Sequence, residues 1–192
     1  MNAVRTTMAL VALAAASFVV TPSARSDVFH SVRELLAGHF SRSDAVGFTR
    51  VRPEGEVRAR VERRLGGPLP GAAYVFYHAE TGGNRDGYAL FDSERGQHEL
   101  IDIGTFFDAE GSVTRVEILA FREPYGDGIR SQRFLHQFVG RRADDSFRVG
   151  QEIDAVSGAT ISARSLARAV RRAAVLLEEA VLPDDPRSLA RR

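Results

Sequence analysis

Asp154-Ala155-Val156-Ser157-Gly158-Ala159-Thr160-Ile161-Ser162 leads directly into a helical pattern that runs from Ala163 to about Val181. In that pattern Leu166, Val170, Ala173, Ala174, Leu177 and Val181 recur at helical spacing and form one apolar face. Arg164, Arg168, Arg171 and Arg172 crowd the other side. A solvated face is the ordinary expectation for such a run, except that Arg164, one turn beyond Thr160, is placed to reach an anion there. The quoted stretch is an anion seat in physical terms. The first N–H groups of a helix lack intrahelical acceptors, and the aligned peptide dipoles add partial positive charge. Gly158 and Ala159 carry little or no side chain, so a phosphate can come close to the backbone. The residues alone leave two readings open: Ser157 or Thr160 caps the helix in the ordinary way, or the turn holds a ligand.

Before this stretch the chain reads as strands joined by short loops. Ala73–His78 is a strand, Thr81–Gly87 a hairpin loop, and Tyr88–Asp92 the returning strand. A third strand runs from about Glu99 to Phe107 with Ile101, Ile103 and Phe107 on one face, and Val113–Phe121 is the fourth. Two loop-linked pairs in succession predict an α+β fold: an antiparallel meander with flanking helices, and a long C-terminal helix that starts at the quoted motif. Glu123-Pro124 ends the fourth strand, since proline cannot donate to a ladder. The loop it opens holds Tyr125, Gly126 and Gly128, and Ile129–Phe138 follows as a short helix.

Toward the N-terminus, Val28–Phe40 and Glu54–Leu65 have helical spacing, Phe48–Val51 is a short extended piece, and Gly66-Gly67-Pro68 stops the second helix. Residues 27–70 are thus expected to form a helical N-terminal segment, 71–182 the main domain and 183–192 a frayed tail. Met1–Ser26 has the layout of a secretory signal, with Arg5, an apolar run from Met8 to Val20, and small residues Ala24 and Ser26 before a cleavage point at Asp27. An uncleaved anchor is the alternative, but the run is shorter than the roughly 20 residues a spanning helix needs. Either way the expectation is an extracytoplasmic, periplasmic protein.

Composition narrows the chemistry. The chain has 192 residues, 44% hydrophobic and 27% charged, as expected of a globular domain. Its 26 basic residues are all arginine and face 25 acidic ones; losing Arg5 and Arg25 with the signal leaves 24 basic against 25 acidic. Nothing in that balance suggests a nucleic-acid partner. With no cysteine, disulfides, thiol redox chemistry, c-type haem attachment and cysteine-ligated iron–sulfur clusters are excluded. His78 and His98 near strand ends have no third ligand in sight, so no metal site is expected, and His30, His39 and His136 read as surface or packing residues.

The segment Asp154-x-x-Ser157-Gly158-Ala159-Thr160 resembles the flavinylation motif of the FMN-binding domain family. That family includes the covalently flavinylated subunits of sodium-pumping NADH:quinone reductases and of related ion-pumping electron-transport complexes. The resemblance implies FMN joined by a phosphoester to Thr160 and installed from FAD by a separate, FAD-dependent flavin transferase. Asp154, Ser157, Gly158 and Ala159 would complete the recognition motif, with Ile161 beside it. The loop of Glu123, Tyr125 and Gly126 falls where the family has a flavin-lining loop, and Arg164 would meet the phosphate. The expectation is an electron-transfer flavoprotein, a redox carrier with no catalytic residues of its own, exchanging electrons with a membrane-bound or periplasmic donor and acceptor. A periplasmic sensory or binding module holding flavin noncovalently, or not at all, is the alternative. A serine hydrolase built on Ser157 is the poorer third, because position 155 is alanine and no Gly-x-Ser-x-Gly elbow forms.

Overall fold

Leu100–Asp108 (β5) and Val113–Phe121 (β6) are buried along nearly their whole length, so both faces of the sheet they form must be covered. The computed structural model describes residues 27–185. The cleavage point apart, the expected signal lies outside them, as does most of the expected tail. The sheet has six strands in the order β1-β6-β5-β4-β3-β2, every neighbour antiparallel. Tyr74–Thr81 (β3), Asn84–Arg95 (β4), β5 and β6 make the expected meander. The β3–β4 hairpin closes more tightly than Thr81–Gly87 suggested. Its ladder extends to Thr81 opposite Asn84, because Gly82 and Gly83 both adopt positive φ (57° and 82°) and make a two-residue turn whose twist suits the strands.

The N-terminal segment departs from the expectation. It contains helices α1 (Val32–His39) and α2 (Gly55–Leu65), but it also supplies both edges of the sheet. Asp27–Val28 (β1) pairs with β6, and Ala45–Val51 (β2) pairs with β3 over its whole length. Helix α1 starts after Val28 because Ser31 and Glu34 form a reciprocal capping box. β2 is exposed or half-buried throughout, which is why its alternation is faint in the sequence. α2 ends where Gly66 turns left-handed at φ 75°.

The larger core lies on the sheet face covered by α2, α3 (Gln132–His136) and α4 (Thr160–Ala180), where Phe76, Leu90, Ile101, Ile103 and Phe107 meet Leu166, Val170 and Leu177. Each such side chain contributes roughly 1.5–3 kcal/mol by burial. On the opposite face α1 sets Leu35, Leu36 and Phe40 against Ala79, Ala89, Phe106 and Leu119. The solvated arginine face of α4 needs correcting. Arg172 is only 5% exposed and is paired with Asp92 at 2.6 Å and with Glu94, while Arg168 reaches Glu94 at 3.1 Å. Two carboxylates on β4 draw these guanidinium groups onto the sheet, and a buried charge persists only when paired.

Candidate functional site

The head of α4 is set by a tight turn before it. Arg148 O accepts from the N–H groups of Gln151, Glu152 and Ile153, Val149 bridges Ile153, and Ile153 is fully buried. Arg141 holds the outer side of this turn through the carbonyls of Ser146 and Glu152. Asp154 N–H then donates to Gln137 Oε1 at 2.7 Å, leaving its carboxylate exposed. Ala159 N–H donates to Val156 O, and Gly158 turns at φ 73° with no atom within 4 Å of where a Cβ would stand.

From there α4 begins without a cap. Ala159 occupies the cap position, no side chain bonds the first turn, and that turn carries no acid. The ordinary-cap reading of Ser157 and Thr160 is therefore not what the structure adopts. The first helical hydrogen bond runs from Ala163 N–H to Ala159 O at 2.8 Å. The N–H groups of Thr160, Ile161 and Ser162 have no acceptor among the described residues. By contrast α1 and α3 are both capped by serine. Asp154, Ser157, Gly158, Thr160, Ile161 and Arg164 are exposed, while Ala159 is buried.

The loop after β6 touches this head. Gly126 adopts φ 90°, and a Cβ there would come within 2.6 Å of Ser162 Oγ; one on Gly128 would meet Val156 Cγ1 at 2.7 Å. That contact brings Tyr125, 77% exposed, and Ile161, 47% exposed, to the same end of the molecule. Glu123 is buried instead of facing outward. Its Oε1 accepts from the His98 and Glu99 N–H groups at 2.7 and 3.1 Å, so it braces the β4–β5 loop, and Gly96 has no room for a Cβ beside it. Val156 and Ser162 are contacts that sequence reasoning passed over; both lie in or beside the motif, but only the fold shows what they touch.

Helical geometry divides the expected set. At about 100° per residue, Ser162 with its loop lies about 200° round α4 from Thr160, whereas Arg164, Ala167, Arg168 and Arg171 lie within about 80° of it. On that second flank a groove of about 630 Å³ runs between α4 and residues 144–151. A cavity of about 620 Å³ at the far end of α4 is lined by His78, Arg85, Tyr88 and Asp185. There His78 Nδ1 sits 2.6 Å from an Arg85 nitrogen and so accepts from the guanidinium. No group of three His, Cys, Asp or Glu able to hold a metal occurs among the described residues. No helix among them is long and apolar enough to cross a membrane.

Residues 96–175 match the family model described as FMN-binding domain. Over this span the chain is similar to the FMN-binding domain family. The span runs from the β4–β5 loop into the second half of α4 and includes the bracing Glu123, the Tyr125–Gly126 loop, the whole 154–160 motif and Arg164. A crystal structure of Shewanella oneidensis NqrC is 14% identical, with a TM-score of 0.47, covering 78% of this chain and 85% of that one. No curated protein matches the sequence. The residues of this span fit a phosphate group at the head of α4, where three N–H groups without an acceptor among the described residues, an open glycine and the absence of a carboxylate in the first turn favour an anion. Exposed Tyr125 and Ile161 beside that seat suit a flat aromatic ring system.

Proposed function

We propose that this protein is a flavin-binding electron-transfer module that carries FMN outside the cytoplasm, esterified through its phosphate to the Thr160 hydroxyl. The observation that carries the reading is the uncapped start of α4, with an exposed Thr160 as its first residue, inside a segment that matches the FMN-binding family. Bound there, the flavin supplies the redox chemistry, and the protein positions it and tunes its environment. The phosphate would take the N–H groups of Thr160, Ile161 and Ser162, with Ser157, Gly158 and Ala159 shaping the turn. Asp154 would belong to the face read by an FAD-dependent flavin transferase. Tyr125 and Gly126 would border the ring. A covalent tether suits an exported carrier, because a dissociable cofactor would be lost by dilution. The partners are a donor and an acceptor in the membrane or periplasm, consistent with the signal-like N-terminus.

The test is co-production of the full chain with a flavin transferase, directed to the periplasm. Fluorescence that survives a denaturing gel, a matching gain in intact mass, and loss of both in Thr160→Val are the expected results. Fluorescence that disappears on denaturation, or a bare polypeptide mass, would overturn the covalent reading in favour of a noncovalent module.

A further inference from the structure

We propose that β2 joins two copies of this chain edge to edge, antiparallel about Phe48, so that the sheet of one copy runs on into the sheet of the other. The proposal is independent of the reading of Thr160.

The two edges of the sheet are defended differently. β1 is two residues long, too short to template another chain. β2 offers seven residues, pairs with β3 in an unbroken register, and has no strand beyond it among the described residues. The devices that blunt an edge are missing from it. Ala45–Val51 holds no proline, no bulge interrupts its ladder, and Arg50 is its only charge. Along such an edge every second residue points its N–H and C=O outward, where another strand can take both.

The side chains favour the same contact. Val46 and Phe48 share one face and are 45% and 67% exposed. Phe48 ends a row of rings that starts in the core. Ring centroids are 5.6 Å apart from Phe106 to Phe91, 5.7 Å from Phe91 to Tyr77 and 6.5 Å from Tyr77 to Phe48. Phe106 is buried with the α1 residues, and the row runs out from there to the open edge. An apolar row that ends in solvent marks an interaction surface. A second copy would bring the same row in reverse, with Phe48 meeting Phe48 at the two-fold axis.

Charge selects the occupant and the register. Pairing about Phe48 sets Val46 against Arg50, whose aliphatic stem can lie over it, and Asp44 against Arg52 at both ends. Asp44 and Arg52 are both exposed, and the Arg52 side chain has no hydrogen bond or ion pair among the described residues. Moving the axis by one residue undoes the match. Centred on Gly47, Arg52 opposes Arg42; centred on Thr49, Asp44 opposes Glu54. The strand is therefore complementary to itself in one register, as an isologous contact requires. The Tyr125 loop follows β6, four strands away at about 4.8 Å each, so the joint leaves that loop open.

The test is sedimentation equilibrium with amide hydrogen exchange on the full chain recovered from the periplasm. The expected result is a dimer of twice the chain mass, with the outward N–H groups of β2 protected. Phe48→Glu should weaken dimerisation at least about tenfold and open those groups to exchange. Arg52→Asp should weaken it about tenfold, and adding Asp44→Arg should restore it to within about threefold, because the pairs re-form with their signs exchanged. Leu100→Glu, at an exposed position that starts β5, is the control and should change nothing. A monomer at every concentration up to about 0.1 mM overturns the proposal, as does a dimer that survives Phe48→Glu or is indifferent to Arg52→Asp. Protection of β2 in a monomer would mean that another segment of the chain covers the edge, and overturns it as well.

Discussion

At the C-terminal end of α4, Glu179 is held by Arg60 and Arg64 at 2.9 and 2.8 Å, and just beyond it Asp185 accepts from Arg85 and from the Tyr88 hydroxyl. At the N-terminal end three N–H groups have no acceptor among the described residues, no side chain caps the turn, and Ser157 and Thr160 face solvent. One helix is closed at one end and open at the other. Titration at the closed end reflects its pairing. The hydrogen bond from Arg60, with Arg64 beside it, holds the Glu179 carboxyl below its usual range, and burial, followed by the Asp185 carboxylate, pushes the Tyr88 phenol well above its own. The difference separates stability from function. The closed end fastens α4 to α2 and β4, so the open end can forgo a stabilising cap and remain free for a ligand.

The most severe way to probe this contrast is Thr160→Val. It should remove all covalent flavin while leaving stability within about 0.5 kcal/mol, since an exposed side chain without partners is lost. In-gel fluorescence and thermal melting check the two halves of that statement. A large drop in melting temperature would mean that the open end also carries stability.

Next in size is Arg85→Met. It leaves Asp185 buried without its guanidinium partner and should cost about 3–5 kcal/mol by denaturant unfolding. Flavin loading per folded molecule should not change. If loading falls as well, the two ends communicate through α4 and the contrast fails.

A smaller and opposite effect is expected from Ile161→Glu, which puts a carboxylate into the uncapped first turn. Stability should rise by about 0.3–1 kcal/mol through the helix dipole, while flavin loading falls because the new charge competes with the phosphate. Chemical denaturation and intact-mass spectrometry would show the two moving in opposite directions.

The smallest effect is one of pH. Glu179 has a folded pKa below the usual 4.5, so it binds its proton more readily when unfolded. Its contribution is complete above about pH 4.5 and is lost as pH falls through the lower folded value. His39 acts in the same sense. Burial, reinforced by Arg115, lowers it from 6.5, so its share is complete above about pH 6.5 and is lost as pH falls through its folded value. Arg60→Met should flatten the acid limb of stability near Glu179 and leave the His39 region as it was, which denaturation at a series of pH values would reveal.

The elements that frame the candidate site were legible in the chain. Thr160 stands at the head of a long helix because small residues and a glycine precede an apolar period of 3.6. Val113–Phe121 is a strand at those very bounds because its alternation is closed by Asp108–Gly111 and by Glu123-Pro124. The partners of Glu123 were not legible: a carboxylate beside a proline in a loop gives no sign that its acceptors will be taken by backbone more than 20 residues earlier. Nor was the burial of Arg172, which depends on Asp92 and Glu94 arriving from β4.

Local rules alone therefore determined the meander, the amphipathic helix and the small-residue turn at its head, because periodicity, turn glycines and the strand-ending proline act over a few neighbouring residues. Tertiary structure decided the two edge strands, which arginines are paired and which are left over, and the placing of the Tyr125 loop and the arginine groove on opposite flanks of α4. Those outcomes depend on which distant segments meet, and contacts across the sheet leave no periodic trace in the chain.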